Sequence, residues 1–172
     1  MSGAPVRVAL VPGVPALLPS YRGIEDPVAD LRAACLDAVR WLGPGFGVHG
    51  SLQGLNVARC LAEEAGVAVD LTREHPGSVL VVANGSATRS EKAPGHLDER
   101  AAGFDEGLRA ALLAGRTGDV DERLARELWA DVAALVWLGR EIEVDPDSVR
   151  VDYDDDPYGV QYWVMRMDGM WR

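Results

Sequence analysis

The sequence predicts an α/β fold: one domain over residues 1–172, with a mostly parallel central sheet, helices on both faces, and a closing C-terminal strand or hairpin. Three observations predict it. Val6 to Val11 and Ser78 to Ala83 (SVLVVA) are nearly unbroken apolar runs without polar alternation, as strands buried on both faces are. Segments with helical periodicity lie between and after these runs, and strands alternating with helices imply layered α/β architecture with right-handed crossovers. A chain of 172 residues that is 48% hydrophobic can bury roughly 70% of its unfolded surface, so it needs neither disulfides nor a structural metal to fold.

Taken in order, the first strand stops at Pro12, Gly13 and Pro15 and feeds a loop. Asp26 is placed to cap a helix and Pro27 to occupy its first position, with Leu31, Cys35, Val39 and Leu42 recurring on one face before Gly43. The glycine-rich connector GPGFGVHG leads to a second helix, in which Leu52, Leu55 and Leu61 share a face and Gly66 is the stop. Val67 to Leu71 reads as a weak strand and Ser78 to Ala83 as a strong central one. After a polar loop over residues 84–97, a helix from about Asp98 carries Phe104, Leu108 and Leu112 and ends near Gly115. Another helix is expected from about Val120 to Leu138, with Leu124, Leu128, Val132 and Leu135 inward. Val149 to Tyr153 and Gly159 to Met167, split by the turn former DDDPYG, read as a hairpin or a strand entering the sheet edge.

Charge and composition exclude several partners. The chain carries 17 basic against 27 acidic side chains, a formal charge of -10. Its arginines are scattered singly, so no nucleic-acid partner is expected. No stretch approaches the roughly 20 apolar residues of a membrane span. Pro12, Pro15 and Pro19 interrupt the apolar start, which argues against a secretory signal and for a cytoplasmic protein. Cys35 and Cys60 stand in no metal or redox spacing and read as small apolar residues of a reducing compartment.

Ligands of open α/β sheets bind beyond the carboxyl ends of the strands, so residues 12–25, 84–97 and 152–158 are the loops to inspect. The loop NGSATRSEKAPGH gathers Asn84, Ser86, Arg89, Lys92 and His96 behind a buried strand. Gly85 permits a tight turn, and loop amides with the Ser86 hydroxyl are positioned to hold an anion that Arg89 or Lys92 neutralises. The competing reading is a structural connection whose charges pair among themselves. His49, His75 and His96 lack the spacing of a metal motif, although His49 and His96 are the better candidates. The run Asp152, Asp154, Asp155, Asp156 lacks the glycine and terminal glutamate of a calcium loop and reads as a turn. Serine and thiol hydrolase motifs are absent. Trp41, Trp129 and Trp137 are best explained by core or interface packing.

Two stretches carry a resemblance. GSATRSEKAPGHLDERAAGFDEGLRAALLAG (Gly85 to Gly115) and YDDDPYGVQYWV (Tyr153 to Val164) resemble the class III extradiol ring-cleavage dioxygenase superfamily, catalytic B-subunit type, and within it a small actinobacterial branch. The PGVPALLP loop is similar to that family's opening. The resemblance implies an α/β fold and an ancestry in non-haem Fe(II) chemistry, in which two histidines and a carboxylate hold the metal and a further histidine acts as acid or base. Carried over, the first-loop histidine falls at about Gly13, and the one after the buried strand at about Ala87 or Thr88. His49 is the only stand-in for the second metal histidine, and the helical carboxylate is Glu127 or Asp131. One histidine and one carboxylate make no facial triad, so a degraded metal site without tightly held iron is expected.

The reading that follows is a divergent superfamily member that keeps a pocket for an aromatic or anionic small molecule. Asn84, Ser86, Arg89, Lys92 and Tyr158 would line it, with His96 as acid or base. Two alternatives stand beside it: an active Fe(II) dioxygenase with unusual ligands, and a non-catalytic structural or partner-binding subunit. Set against the family it resembles, the segment that would hold the second metal histidine is shortened, and this with five tryptophans leads us to expect a homodimer or partner subunit.

Overall fold

The computed structural model describes residues 3–21 and 26–172, so the last four residues of the loop 12–25 lie outside it. The elements are β1 (Pro5–Val11), α1 (Ala29–Leu42), β2 (Gly47–His49), α2 (Leu52–Ala65), β3 (Ser78–Val82), α3 (Ala101–Leu113), α4 (Glu122–Glu127), α5 (Ala133–Glu141), β4 (Ile142–Val144), β5 (Arg150–Asp155) and β6 (Tyr162–Trp171). They form an α/β structure around one six-stranded mixed sheet of order β2-β3-β1-β6-β4, with β5 also paired to β6.

The expectation of a mostly parallel sheet is corrected. β1 and β2 both pair parallel to β3, but β6 runs antiparallel to β1, β4 and β5. The reason is the tail: the chain turns at residues 156–161 at the carboxyl end of β1 and returns down the sheet with Leu10 opposite Met165. The parallel part of the sheet is built by crossovers, whereas β5 and β4 pair in tandem along one side of β6, β5 with residues 162–166 and β4 with residues 169–171.

Period-two alternation divides the core. Ala9, Val11, Leu80, Val82 and Val164 point to the face covered by α1 and α2 (Leu31, Cys35, Val39, Val57, Leu61). Val8, Leu10, Val79, Val81 and Met165 point to the face covered by α3, α4 and α5 (Leu108, Leu112, Ala125, Leu135, Leu138). Every residue of β3 is buried. Each such Val or Leu contributes about 1.5–3 kcal/mol by leaving water, which holds the strand ends rigidly beneath the loops.

Four local expectations change. β2 forms inside the glycine connector, whereas Val67 to Leu71 contributes a single bridge, Val69 to Phe46. In α2 the buried stripe is Gly54, Val57, Ala58, Leu61 and Ala62, so Leu52 and Leu55 face outward. β4, which the sequence did not announce, follows α5 directly. The helix expected over residues 120–138 is broken into α4 and α5, because the turn between them pairs with the end of β3. There the Asn84 amide donates to the Asp131 carbonyl (3.0 Å) and the Asp131 amide to the Asn84 carbonyl (3.1 Å). The stops at Gly66 and Gly115, both with positive φ, are as expected.

Candidate functional site

The surface to inspect is the carboxyl end of β1, β2 and β3, where the loop after β1, the start of α2, residues 84–97, the α4–α5 turn and the hairpin tip meet. Hydrogen bonds tie these pieces together. Gln53 Nε2 donates to the Gly13 carbonyl (2.6 Å), the Ala87 amide to the Leu128 carbonyl (2.9 Å), and the Gln161 amide to the Ser86 carbonyl (2.9 Å). The loop after β1 is pinned from the other side by Arg32, a buried side chain that donates to the carbonyls of Leu17 (2.6 Å) and Ala16 (3.0 Å) and to Asp26 (2.7 Å).

Ser86 and Arg89 are held by carboxylates. Asp105, 2% exposed on α3, accepts from the Ser86 amide (2.8 Å), the Ser86 hydroxyl (2.6 Å) and the Arg89 guanidinium (3.2 Å). Arg89 also donates to Asp156 at 2.6 Å. Burial works against the Arg89 charge, but these bonds to Asp156 and Asp105 outweigh it and raise its pKa. The anion that this loop neutralises is thus the protein's own, as in the structural reading of the motif. Asn84 is buried and donates to the Gly85 carbonyl (3.2 Å), whereas Lys92 and Tyr158 are exposed. Two other aspartates of the hairpin are likewise paired, Asp152 with Arg166 at 2.7 and 2.9 Å and Asp154 with Arg109 at 2.6 Å.

The candidate metal ligands are engaged by other side chains or exposed. His49 closes β2, and its ring stacks on Trp137 at 4.0 Å and 11°. Burial lowers its pKa against the opposing pull of Glu141. His96 is exposed, with Nδ1 3.4 Å from the Glu91 carbonyl oxygen. Glu127 pairs with Arg100 (2.7 Å) and Arg123 (3.5 Å). The hydrogen bond from Arg100 holds its carboxyl below the usual range. Asp131 stands over the start of α2, where burial raises its pKa and a hydrogen bond with Ser51 opposes the rise. Among the described residues no three His, Cys, Asp or Glu side chains converge as metal ligands.

The position of the first expected histidine is closed by packing. A Cβ on Gly13 would stand 2.8 Å from Val82 Cγ1 and 3.3 Å from the Gly54 Cα. A side chain there would require the Val82 side chain to shift and α2 to give slightly at Gly54. The other position, Thr88, is buried, and its hydroxyl has no partner. The residues present therefore do not fit the Fe(II) site that the resemblance implies.

Two further features escaped the sequence reading. Asp105 falls on the stripe Ala101, Asp105, Leu108, Leu112 that α3 buries. An acid on an apolar stripe was the signal that could have found it. Trp129 is 60% exposed and has φ 59°, and His96 has φ 60°. A non-glycine residue in the left-handed region costs about 1–2 kcal/mol, and such strain concentrates at functional surfaces. A cavity of about 300 Å³ opens beside this region, lined in part by Arg89, Asp105, Arg109, Gln161 and Trp163.

Compared with protein-family models and with curated proteins, the chain matches none.

Proposed function

We propose that the chain is a divergent member of the class III extradiol dioxygenase superfamily that does not itself hold a catalytic iron, and whose strand-end loops serve binding rather than ring opening. The lineage part rests on the two resembling stretches, which occupy the loop after β3, α3 and the β5–β6 hairpin. The observation that carries the loss of iron is that, among the described residues, no three His, Cys, Asp or Glu side chains converge as metal ligands, while the position of the first expected histidine is a glycine crowded by Val82. The stacking of His49 on Trp137 and the pairing of Glu127 with Arg100 and Arg123 support it. Arg89, expected to grip an acidic substituent, is neutralised by Asp105 and Asp156, which favours a non-catalytic, partner-binding role.

A second reading keeps a small anionic or aromatic ligand and is favoured by the cavity beside Arg89 and Arg109. An assay separates enzyme from non-enzyme: anaerobically purified protein, offered ferrous iron and then catechol and dioxygen, is expected to give no ring-cleavage product. Product formation that scales with protein and is lost in His49→Ala would overturn the proposal.

A further inference from the structure

The stripe that α2 buries is Gly54, Val57, Ala58, Leu61 and Ala62, which leaves Leu55, Asn56 and Arg59 within one turn of each other on an outer face. Residues 67–71 run beside the start of β2. There the Gly45 amide donates to the Ala68 carbonyl (2.8 Å) and the Asp70 amide to the Phe46 carbonyl (3.0 Å). The pairing goes no further. β2 is the edge of the sheet, so among the described residues no strand covers the outer side of Val48. The result is a hollow: Val48, Leu55, Asn56, Arg59, Val69 and Leu71 line a cavity of about 420 Å³. The apolar residues of 67–71, which build no strand, supply one of its walls.

Four apolar side chains with only two polar ones, Asn56 and Arg59, make up this lining. Concave apolar sites of roughly 300–1,000 Å³ with a few placed polar groups take small molecules. A flat partner surface would leave the hollow empty, whereas a hydrocarbon inside it removes the exposed Leu55 and Leu71 from water. Arg59 supplies the polar end. Asn56 Oδ1 accepts from its Nη2 at 2.9 Å and steadies the guanidinium. Its carboxylate partner is Glu63 at 3.4 Å, with both side chains well exposed. Exposed pairs of this kind hold weakly. A carboxylate anchored by an apolar body can therefore displace Glu63 and take the guanidinium through two hydrogen bonds.

The surrounding charges limit the ligand further. Asp70 accepts from the Thr72 amide (2.9 Å) and hydroxyl (2.6 Å) and pairs with Arg73 at 3.2 Å. Glu74 lines the adjoining cleft, which shares Val48 and Leu71. Glu63, Asp70 and Glu74 thus stand against Arg59 and Arg73, a slightly acidic setting that disfavours a dianion such as a phosphate monoester. A monoanion that draws most of its affinity from its apolar body fits best. We propose that this cleft binds a small monocarboxylate, its carboxylate on Arg59 and its hydrocarbon against Val48, Leu55, Val69 and Leu71. The site uses neither His49 nor the loop at residues 84–97, so it stands or falls independently of the reading of the strand end.

The test is a methyl-resolved NMR titration of the full chain with octanoate, with acetate and 1-octanol as controls. Octanoate is expected to shift the methyl signals of Val48, Leu55, Val69 and Leu71 saturably, at one site per chain, and acetate to leave them in place. 1-Octanol, which lacks the charge, should bind about tenfold more weakly. Arg59 and Leu71 are exposed, so their variants should keep the fold. Arg59→Gln should bring octanoate down to the affinity of 1-octanol without changing the alcohol, whereas Leu71→Ser should weaken both. Glu63→Gln removes the competing carboxylate and should tighten octanoate. Octanoate that shifts none of these methyls, 1-octanol that binds as tightly as octanoate, or an Arg59→Gln variant that binds octanoate like wild type would overturn the proposal. So would shifts of the same methyls with protein concentration alone, which would make the cleft a contact between copies of the chain.

Discussion

Replacing Arg89 by alanine separates the two accounts of the polar loop. If the loop exists to hold an external anion, Arg89→Ala and Lys92→Ala should behave alike and leave stability almost unchanged. The structure predicts that they diverge. Removing Arg89 takes its counter-charge from Asp105, a carboxylate 2% exposed, and one partner from Asp156. Breaking a buried pair from one side costs about 3–5 kcal/mol. The Arg89 side chain is 25% exposed, and Ser86 still gives Asp105 two donors, so we expect about 2–3 kcal/mol. For a domain of this size that corresponds to roughly 4–12 °C in melting temperature. Lys92 is exposed, so its alanine variant should fall within about 0.5 kcal/mol of wild type. Urea unfolding monitored by tryptophan fluorescence measures both. An Arg89→Ala variant as stable as wild type, or a Lys92→Ala variant equally damaged, would refute the reasoning.

Other outcomes follow from the same structure. Gly139→Ala should lose about 1–3 kcal/mol, because its Cβ would stand 2.6 Å from the Gly118 amide nitrogen; an unchanged denaturation midpoint would show that the α5 contact is loose. The folded His49 ring resists protonation relative to its ordinary value of 6.5. The unfolded chain therefore binds a proton first as pH falls, so stability present above 6.5 declines as pH drops toward the folded value, and His49→Gln should flatten that decline in unfolding curves. Asp131 has the opposite sign: its raised pKa means stability is lost as pH rises from 3.8 through the folded value. Asp131→Asn should therefore be neutral or mildly stabilising near pH 7, and a marked loss of stability there would reveal a partner for the charge.

The layered fold was legible because it rests on local periodicity. The bare apolar run of β3 and the i, i+4, i+8 spacing of Phe104, Leu108 and Leu112 appear in the structure as a buried strand and a helix packed on it. Strand direction was not legible, since Tyr162 to Trp171 has the same hydrophobicity whether it enters the sheet parallel or antiparallel. Nor was the break at Trp129, where tertiary hydrogen bonds between Asn84 and Asp131 override a continuous helical pattern. In the candidate site, the clustering of Ser86 and Arg89 was visible in the sequence. Their true partners were not, because Asp105 and Asp156 lie 19 and 67 residues from the positions they bind. The crowding at Gly13 depends on the approach of α2 and Val82 to the loop after β1, a contact that no local pattern encodes.

The most direct test of the central claim is an anaerobic equilibrium titration of the whole chain with ferrous iron, read by metal content after desalting. The account predicts that no iron is retained, in wild type as in the His49→Ala, His96→Ala and Asp131→Asn variants. One iron retained per chain and lost on substitution of any of these residues would contradict it.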